Sequence, residues 1–149
     1  MSFTHTNKVR YQYVSGSVNV LKEISKVETA GAEMNISEAI TTDGSTETAD
    51  IDLEYFEFTD AAQAKSVYIR LDGFNGALYA NGSSTGTKMV DLDDGEPYVW
   101  SYGGGTSFPP GNSNPMQDST TKLAVQPDAG AGTETAGTIT VSVLYDPTA

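Results

Sequence analysis

Cysteine is absent from the sequence. No disulfide framework, no thiolate nucleophile and no sulfur-based zinc site can exist in it. Histidine occurs once, at His5. A Ser-His-Asp arrangement would have to take its base from a threonine-flanked segment near the start of the chain, where residues usually fray. Basic residues are scarce: eight Lys and Arg stand against twenty Asp and Glu, for a formal charge of −12. Nucleic acid and anionic lipid repel such a chain; high solubility, or attraction to a basic partner surface, is what the charge favours. No apolar run approaches the ~18 residues a membrane-spanning helix needs. The opening MSFTHTNKVR has no apolar stretch of the kind found in a secretory signal, so synthesis in a cytoplasm is the expectation.

What is present is β-forming. The 149 residues are 38% hydrophobic and include one Trp, eight Tyr and five Phe. A chain of this size buries roughly 70% of the surface its unfolded form exposes, enough for one domain with a real core. Gly, Thr, Ser, Asn and Asp separate short segments rich in β-branched and aromatic residues, the pattern of many short strands. TITVSVLY puts Ile139, Val141, Val143 and Tyr145 on one face and Thr138, Thr140, Ser142 and Leu144 on the other. SVYIRL places Val67, Ile69 and Leu71 inward. ADIDLEYFEF alternates, then changes phase, which predicts a bulge near Tyr55–Phe56 or burial on both faces. LYANG, KMVDL, PYVWSY, KLAVQ, KVRYQYV and EMNISEAI read as further strands. VNVLKEISKV fits a helical stripe as well, but its β-branched content favours strand. Asp60 and Gln63 have capping-box spacing over alanines and predict one helical turn. The expected fold is all-β: a single antiparallel, jelly-roll-like β-sandwich of about 8–10 short strands with long loops, preceded by an N-terminal arm of about residues 1–13.

Candidate chemistry is sparse. Asp52 and Glu54 share a strand face about 7 Å apart, near the spacing of inverting glycosidases, yet alternating acids are the ordinary wet face of a strand. DLDDGE offers Asp91, Asp93 and Asp94, with Glu96, as oxygen ligands for calcium. Gly95 falls at position 5 of that run, one place short of the EF-hand glycine, and no closing Glu follows. Asp-Gly is a hairpin-turn signal. Gly103, Gly104 and Gly105 lack the Lys-Ser/Thr or the helix of a phosphate loop. No enzyme activity, cofactor or metal is expected.

The stretch YVWSYGGGTSFPPGNSNP carries the binding candidates. Tyr98, Trp100 and Tyr102 alternate, so they could form a sugar-stacking platform; a lone Trp in a sandwich more often packs between the sheets. Phe108, Pro109 and Pro110 stand at a loop tip, where stiff prolines lower the entropy cost of docking; Phe108 could also fold back onto its own sandwich.

DLDDGEPYVW, a loop ending in NP, TTKLAVQPD, a small-residue loop and TITVSVLYDP follow one another in order. This order resembles the C-terminal half of small β-sandwich virion proteins of tailed bacteriophages. Gly95, Pro97 and Trp100, then Thr121, Leu123 and Val125, then Tyr145 and Asp146 carry the likeness, which spans roughly Val67 to Asp146. These are packing motifs, and the first 60 residues share none of them. The resemblance implies a non-enzymatic capsid decoration or cement protein of the virion, made in the host cytoplasm. Its partners would be the major capsid protein and copies of itself, typically as a trimer, with neither nucleic acid nor membrane bound. Phe3, Arg10 and Tyr11 in the arm and Phe108, Pro109 and Pro110 in the loop are the expected contacts. A receptor- or carbohydrate-binding module using Tyr98, Trp100 and Tyr102 is the alternative.

Overall fold

A computed structural model describes residues 2–42, 49–52, 60–81, 87–102, 107–120, 122–128 and 135–147. Its strands are β1 (Phe3–Ser15), β2 (Val18–Ala30), β3 (Ala32–Thr42), β4 (Ala49–Asp52), β5 (Ala64–Asp72), β6 (Gly76–Ala80), β7 (Thr87–Leu92), β8 (Tyr98–Ser101), β9 (Lys122–Pro127) and β10 (Thr135–Tyr145). The expected all-β, antiparallel, sandwich-like fold is what forms. Two four-stranded sheets run β3-β10-β5-β8 and β4-β9-β6-β7, and β1 pairs with β2 in a separate ribbon.

The eight strands of the body pair like the two legs of one long hairpin. β3 pairs with β10, β4 with β9, β5 with β8 and β6 with β7. Each leg steps alternately from one sheet to the other, and the pairs β10–β5 and β9–β6 knit the wrapped legs together. Hydrophobic alternation sets this register, because a one-residue slip would turn every core side chain to water. Val141 lies between Ile69 and Ile36. Val67, Ile69, Leu71, Ile139, Val141 and Val143 are fully buried from one sheet, and Leu78, Leu123 and Val125 from the other. Trp100, Met116, Met34 and Phe74 complete the core.

The anticipated turn at Asp60 is a 3₁₀ turn, Ala61–Gln63, with a complete capping box: Asp60 Oδ1 accepts from Ala62 N–H at 2.8 Å, and Gln63 Oε1 accepts from Asp60 N–H at 2.8 Å. Gln63 is itself buried, and its amide nitrogen donates to the carbonyls of Asp146 and Pro147, both at 3.0 Å. One residue thus caps the turn and ties down the chain beyond β10. VNVLKEISKV is strand, within β2. The phase change at Tyr55–Phe56 lies outside the described residues, as do Glu54 and Gly103 to Gly105; of Asp52 the backbone alone is described.

Two expectations need correction. The arm does not end near residue 13: its first strand continues through a turn into β2, so the ribbon runs to Ala30. The Asp-Gly turn does not close a hairpin either, because β7 and β8 lie in different sheets. Gly95 turns the chain at φ +76°, and its N–H bonds to the Leu71 carbonyl at 2.7 Å. Local turn chemistry bends the chain, while core packing decides where the next strand goes.

Gly137 marks where β10 comes closest to the end of β5. A Cβ there would stand 2.3 Å from the Asp72 carbonyl oxygen and 3.0 Å from the Phe74 ring. Backbone cannot yield as a flexible side chain can. Gly137→Ala should therefore destabilise the body by about 1–3 kcal/mol, as overpacking does, read as a lower denaturation midpoint with an unchanged slope in urea unfolding.

The ribbon, its root and the other candidate sites

β1 and β2 pair over all 13 residues of each strand, from Phe3↔Ala30 to Ser15↔Val18, without a register shift. Gly16 opens the two-residue loop at φ +58°, the conformation a tight hairpin of this kind asks of its first central residue. At about 3.3 Å per residue the ribbon is about 43 Å long. An isolated two-stranded ribbon is marginal in water, so what holds its root matters.

The root lies on a row of residues crossing the outer face of the first sheet. Registers place Glu33 of β3, Leu144 of β10, Ser66 of β5 and Ser101 of β8 side by side. Leu144, Ser66 and Ser101 point away from the core, yet they are 0%, 1% and 0% exposed. The ribbon covers them. His5 bonds to Ser66 Oγ through Nδ1 at 3.3 Å and to Glu33 Oε2 through Nε2 at 3.1 Å. Asn7 Nδ2 donates to Ser66 Oγ at 3.1 Å and also to Ser101 Oγ. From His5 to Asn7 the contacts move from β3 toward β8, so β1 runs across the sheet strands and leaves the body past β8.

Ser66, His5 and Glu33 have the bonding order of a nucleophile, a base and an orienting acid. Asn7 donates to Ser66, and the His5 ring joins the Ser66 hydroxyl through Nδ1 to the Glu33 carboxylate through Nε2. A nucleophile must also meet a substrate, and Ser66 is sealed beneath the ribbon. The cluster is a polar latch: each buried hydroxyl in it is satisfied by a ribbon side chain. Farther along this outer face, Arg70 is held above its ordinary pKa by hydrogen bonds to Tyr68 and Asp72, and by the Asp72 charge.

Beyond the latch the ribbon changes character. In an antiparallel pair, residues opposite one another share a face. The face that carries His5, Asn7, Lys26 and Glu28 at the root carries Val9, Tyr11, Tyr13, Val18, Val20 and Ile24 farther out, with Lys22 as its one charge. The reverse face alternates polar residues such as Lys8, Arg10 and Glu23 with Val14, Leu21 and Val27. Of nine exposed large hydrophobic residues among those described, eight lie on the ribbon; Tyr102 is the ninth. Tyr11 is 60% exposed and Ile24 58%. Among the expected contact residues, Tyr11 and Arg10 are thus open to solvent, and Phe3 is half-buried at the root.

The loop after β8 differs from expectation. Phe108 is 6% exposed and bridges to Ser101: Ser101 N–H donates to its carbonyl at 2.7 Å, and its own N–H donates back at 3.0 Å. The ring therefore folds onto its own sandwich and offers nothing to a partner. Pro109 is half-buried, and Pro110 remains exposed. Asn112 Nδ2 donates to the Val99 carbonyl at 2.7 Å, and Tyr98 Oη donates to the Ser113 carbonyl at 2.7 Å. The loop thus occupies the free edge of β8, where another strand could otherwise add.

The aromatic platform is dispersed. Trp100 is 4% exposed in the core, with Nε1–H bonded to Ser107 Oγ at 3.0 Å. Tyr98 packs partly against the core. Tyr102 follows the end of β8 and carries Lys65 Nζ 5.0 Å from its ring centre. The acids of DLDDGE are dispersed too. Asp91 pairs with Lys88 at 3.1 Å, Asp94 Oδ1 accepts from Gly73 N–H at 2.7 Å, and Asp93 is exposed. No three His, Asp or Glu among the described residues come together as a metal site.

The ribbon was the feature missed at the sequence level. Its signal was present: two alternating apolar runs flank Gly16-Ser17, a pair that suits a tight hairpin. Compared with known proteins, the chain matches no family model, no curated sequence and no solved structure.

Two outcomes follow. Asn7→Ala removes the hydrogen bonds that Asn7 donates to the buried Ser66 and Ser101 hydroxyls, at a cost of about 1–3 kcal/mol. It should speed proteolysis within residues 1–30 well before the body is cut. Trp100 fluorescence should be blue-shifted and unchanged by soluble glycans; quenching by a glycan would restore the aromatic-platform reading.

Proposed function

We propose that the protein is a non-enzymatic structural component of a tailed-bacteriophage virion, a capsid decoration or cement protein that binds the major capsid protein and its own copies. One observation carries the adhesive part of this reading: a ribbon with eight exposed large hydrophobic residues projects from a body whose own core is closed. Exposed apolar surface of this kind marks interaction sites in soluble proteins. The phage part rests on the motif order from DLDDGEPYVW to TITVSVLYDP. The strand order is consistent with it. Counting the body strands from one to eight, the sheets run 1-8-3-6 and 2-7-4-5. We read this as a jelly roll, an architecture that recurs in viral capsid proteins and also in lectins and cupins, so it supports the reading without singling it out.

In this role the mechanism is burial. The exposed apolar surface is covered by sister copies and by the shell, while acidic surface that faces neither stays wet. The carbohydrate-binding alternative loses its support with the dispersal of Tyr98, Trp100 and Tyr102. The test is direct: mass spectrometry of gradient-purified particles, and sedimentation of the purified chain with emptied capsid shells. The chain should be found in the particles, co-sediment at a saturating copy number and raise the temperature at which shells break. Absence from particles together with failure to sediment with shells would overturn the reading.

A further inference from the structure

The ribbon cannot satisfy its own apolar face. The latch of His5 and Asn7 sets it across the sheet and carries it out past β8, and its unbroken register gives it no bulge at which to fold back. Among the described residues, none of the body covers Val9, Tyr11, Tyr13, Val18 and Ile24, which leaves this face open to another molecule.

Charge indicates which. Residues 1–30 hold four of the eight basic residues and two of the twenty acids, for a net charge of +2. The remaining 119 residues carry −14. Lys22, opposite Tyr11, puts a positive charge within the apolar strip, and Arg10, opposite Glu23, adds one on the reverse face of the outer ribbon. The chain is therefore divided into a basic arm and an acidic body, so the net charge of one copy's arm is opposite to that of another copy's body. We propose that the outer half of the ribbon docks on the acidic body of a second copy of this chain, in a closed exchange in which every copy gives one arm and receives one.

Area argues for closure. The ribbon is about 10 Å wide, and its eight outer residue pairs span about 26 Å. One docked face therefore covers roughly 260 Å² in projection, or about 520 Å² counting both partners, a size typical of incidental contacts. When two copies exchange arms reciprocally, the total between them rises to about 1,000 Å², the lower bound of a specific interface. Closed exchange also leaves no free arm to propagate a fibre. The proposal does not depend on the virion reading, since the association forms from this chain alone.

The test uses the purified full chain. Light scattering after gel filtration, from micromolar to millimolar protein, should show a discrete oligomer. Ile24→Asp should shift it to monomer. Arg10→Glu with Lys22→Glu, which alters only exposed charges, should weaken association by about tenfold or more, with the thermal unfolding of the body unchanged in both variants. Because the chain lacks cysteine, Ser17→Cys gives a single site for a photo-crosslinker at the ribbon tip. In mixtures of isotope-labelled and unlabelled chains, it should join the tip to residues 31–149 of a different copy. A monomer at every concentration, an oligomer indifferent to Ile24→Asp, or cross-links running only from tip to tip would overturn the proposal. Capsid sedimentation is a separate measurement, so failure of the exchange and failure of the virion role are distinguishable.

Discussion

The pairing of β10 with β5 and β3 is the constraint on which the rest depends. β10 is the last strand, yet it lies inside its sheet, between strands from the first half of the body. Ile139, Val141 and Val143 fill the core from one face. Leu144 and Ser142 project from the other, and Leu144 is sealed by the ribbon root. One strand therefore closes the sandwich and forms part of the floor for the arm. Its end is also tied to the 3₁₀ turn, where Gln63 accepts from Asp146 N–H and donates to the Asp146 and Pro147 carbonyls.

Around that frame, polar groups do two kinds of work. At the root they orient. His5, Asn7, Ser66, Ser101 and Glu33 form a connected set in which the buried groups are satisfied, and the geometry of those bonds sets the ribbon's direction more tightly than apolar contact could, because hydrogen bonds weaken steeply off axis. At the β8 edge they block. Asn112, Ser113 and the Phe108 backbone take up hydrogen bonds along that strand, so a neighbouring chain cannot extend the sheet there. Surface ion pairs such as Lys8–Glu23 at 3.8 Å contribute little by comparison. The body is thus closed along its β8 edge, and among the described residues the exposed large hydrophobic side chains are concentrated on one projecting element.

Much of the body was legible from the order of residues alone. The alternation in SVYIRL assigned the inner face of β5, and that in TITVSVLY separated the two faces of β10, since a strand's side chains must alternate. The Asp60–Gln63 spacing located the capped turn. Placement of Trp100 in the core followed from its size and its isolation. The candidate contacts were less legible. For Phe108 the sequence leaves two readings open, an exposed tip or a ring folded back on its own sandwich, because nothing local reveals that Ser101 captures it. An arm of about residues 1–13 misses β2, because VNVLKEISKV reads locally as a strand without revealing that its partner is β1.

By itself, the sequence determined that the chain is all-β, free of thiol and disulfide chemistry, and strongly acidic apart from its first 30 residues. These properties follow from composition and from alternation within single strands, which are local. The tertiary structure decided which strands become neighbours, that the Asp-Gly turn crosses between sheets, that His5 meets Ser66 and Glu33, and that the apolar face of β1 and β2 is left uncovered. Each of these joins residues far apart along the chain, and such contacts form only when burying the shared core outweighs the entropy of bringing the segments together.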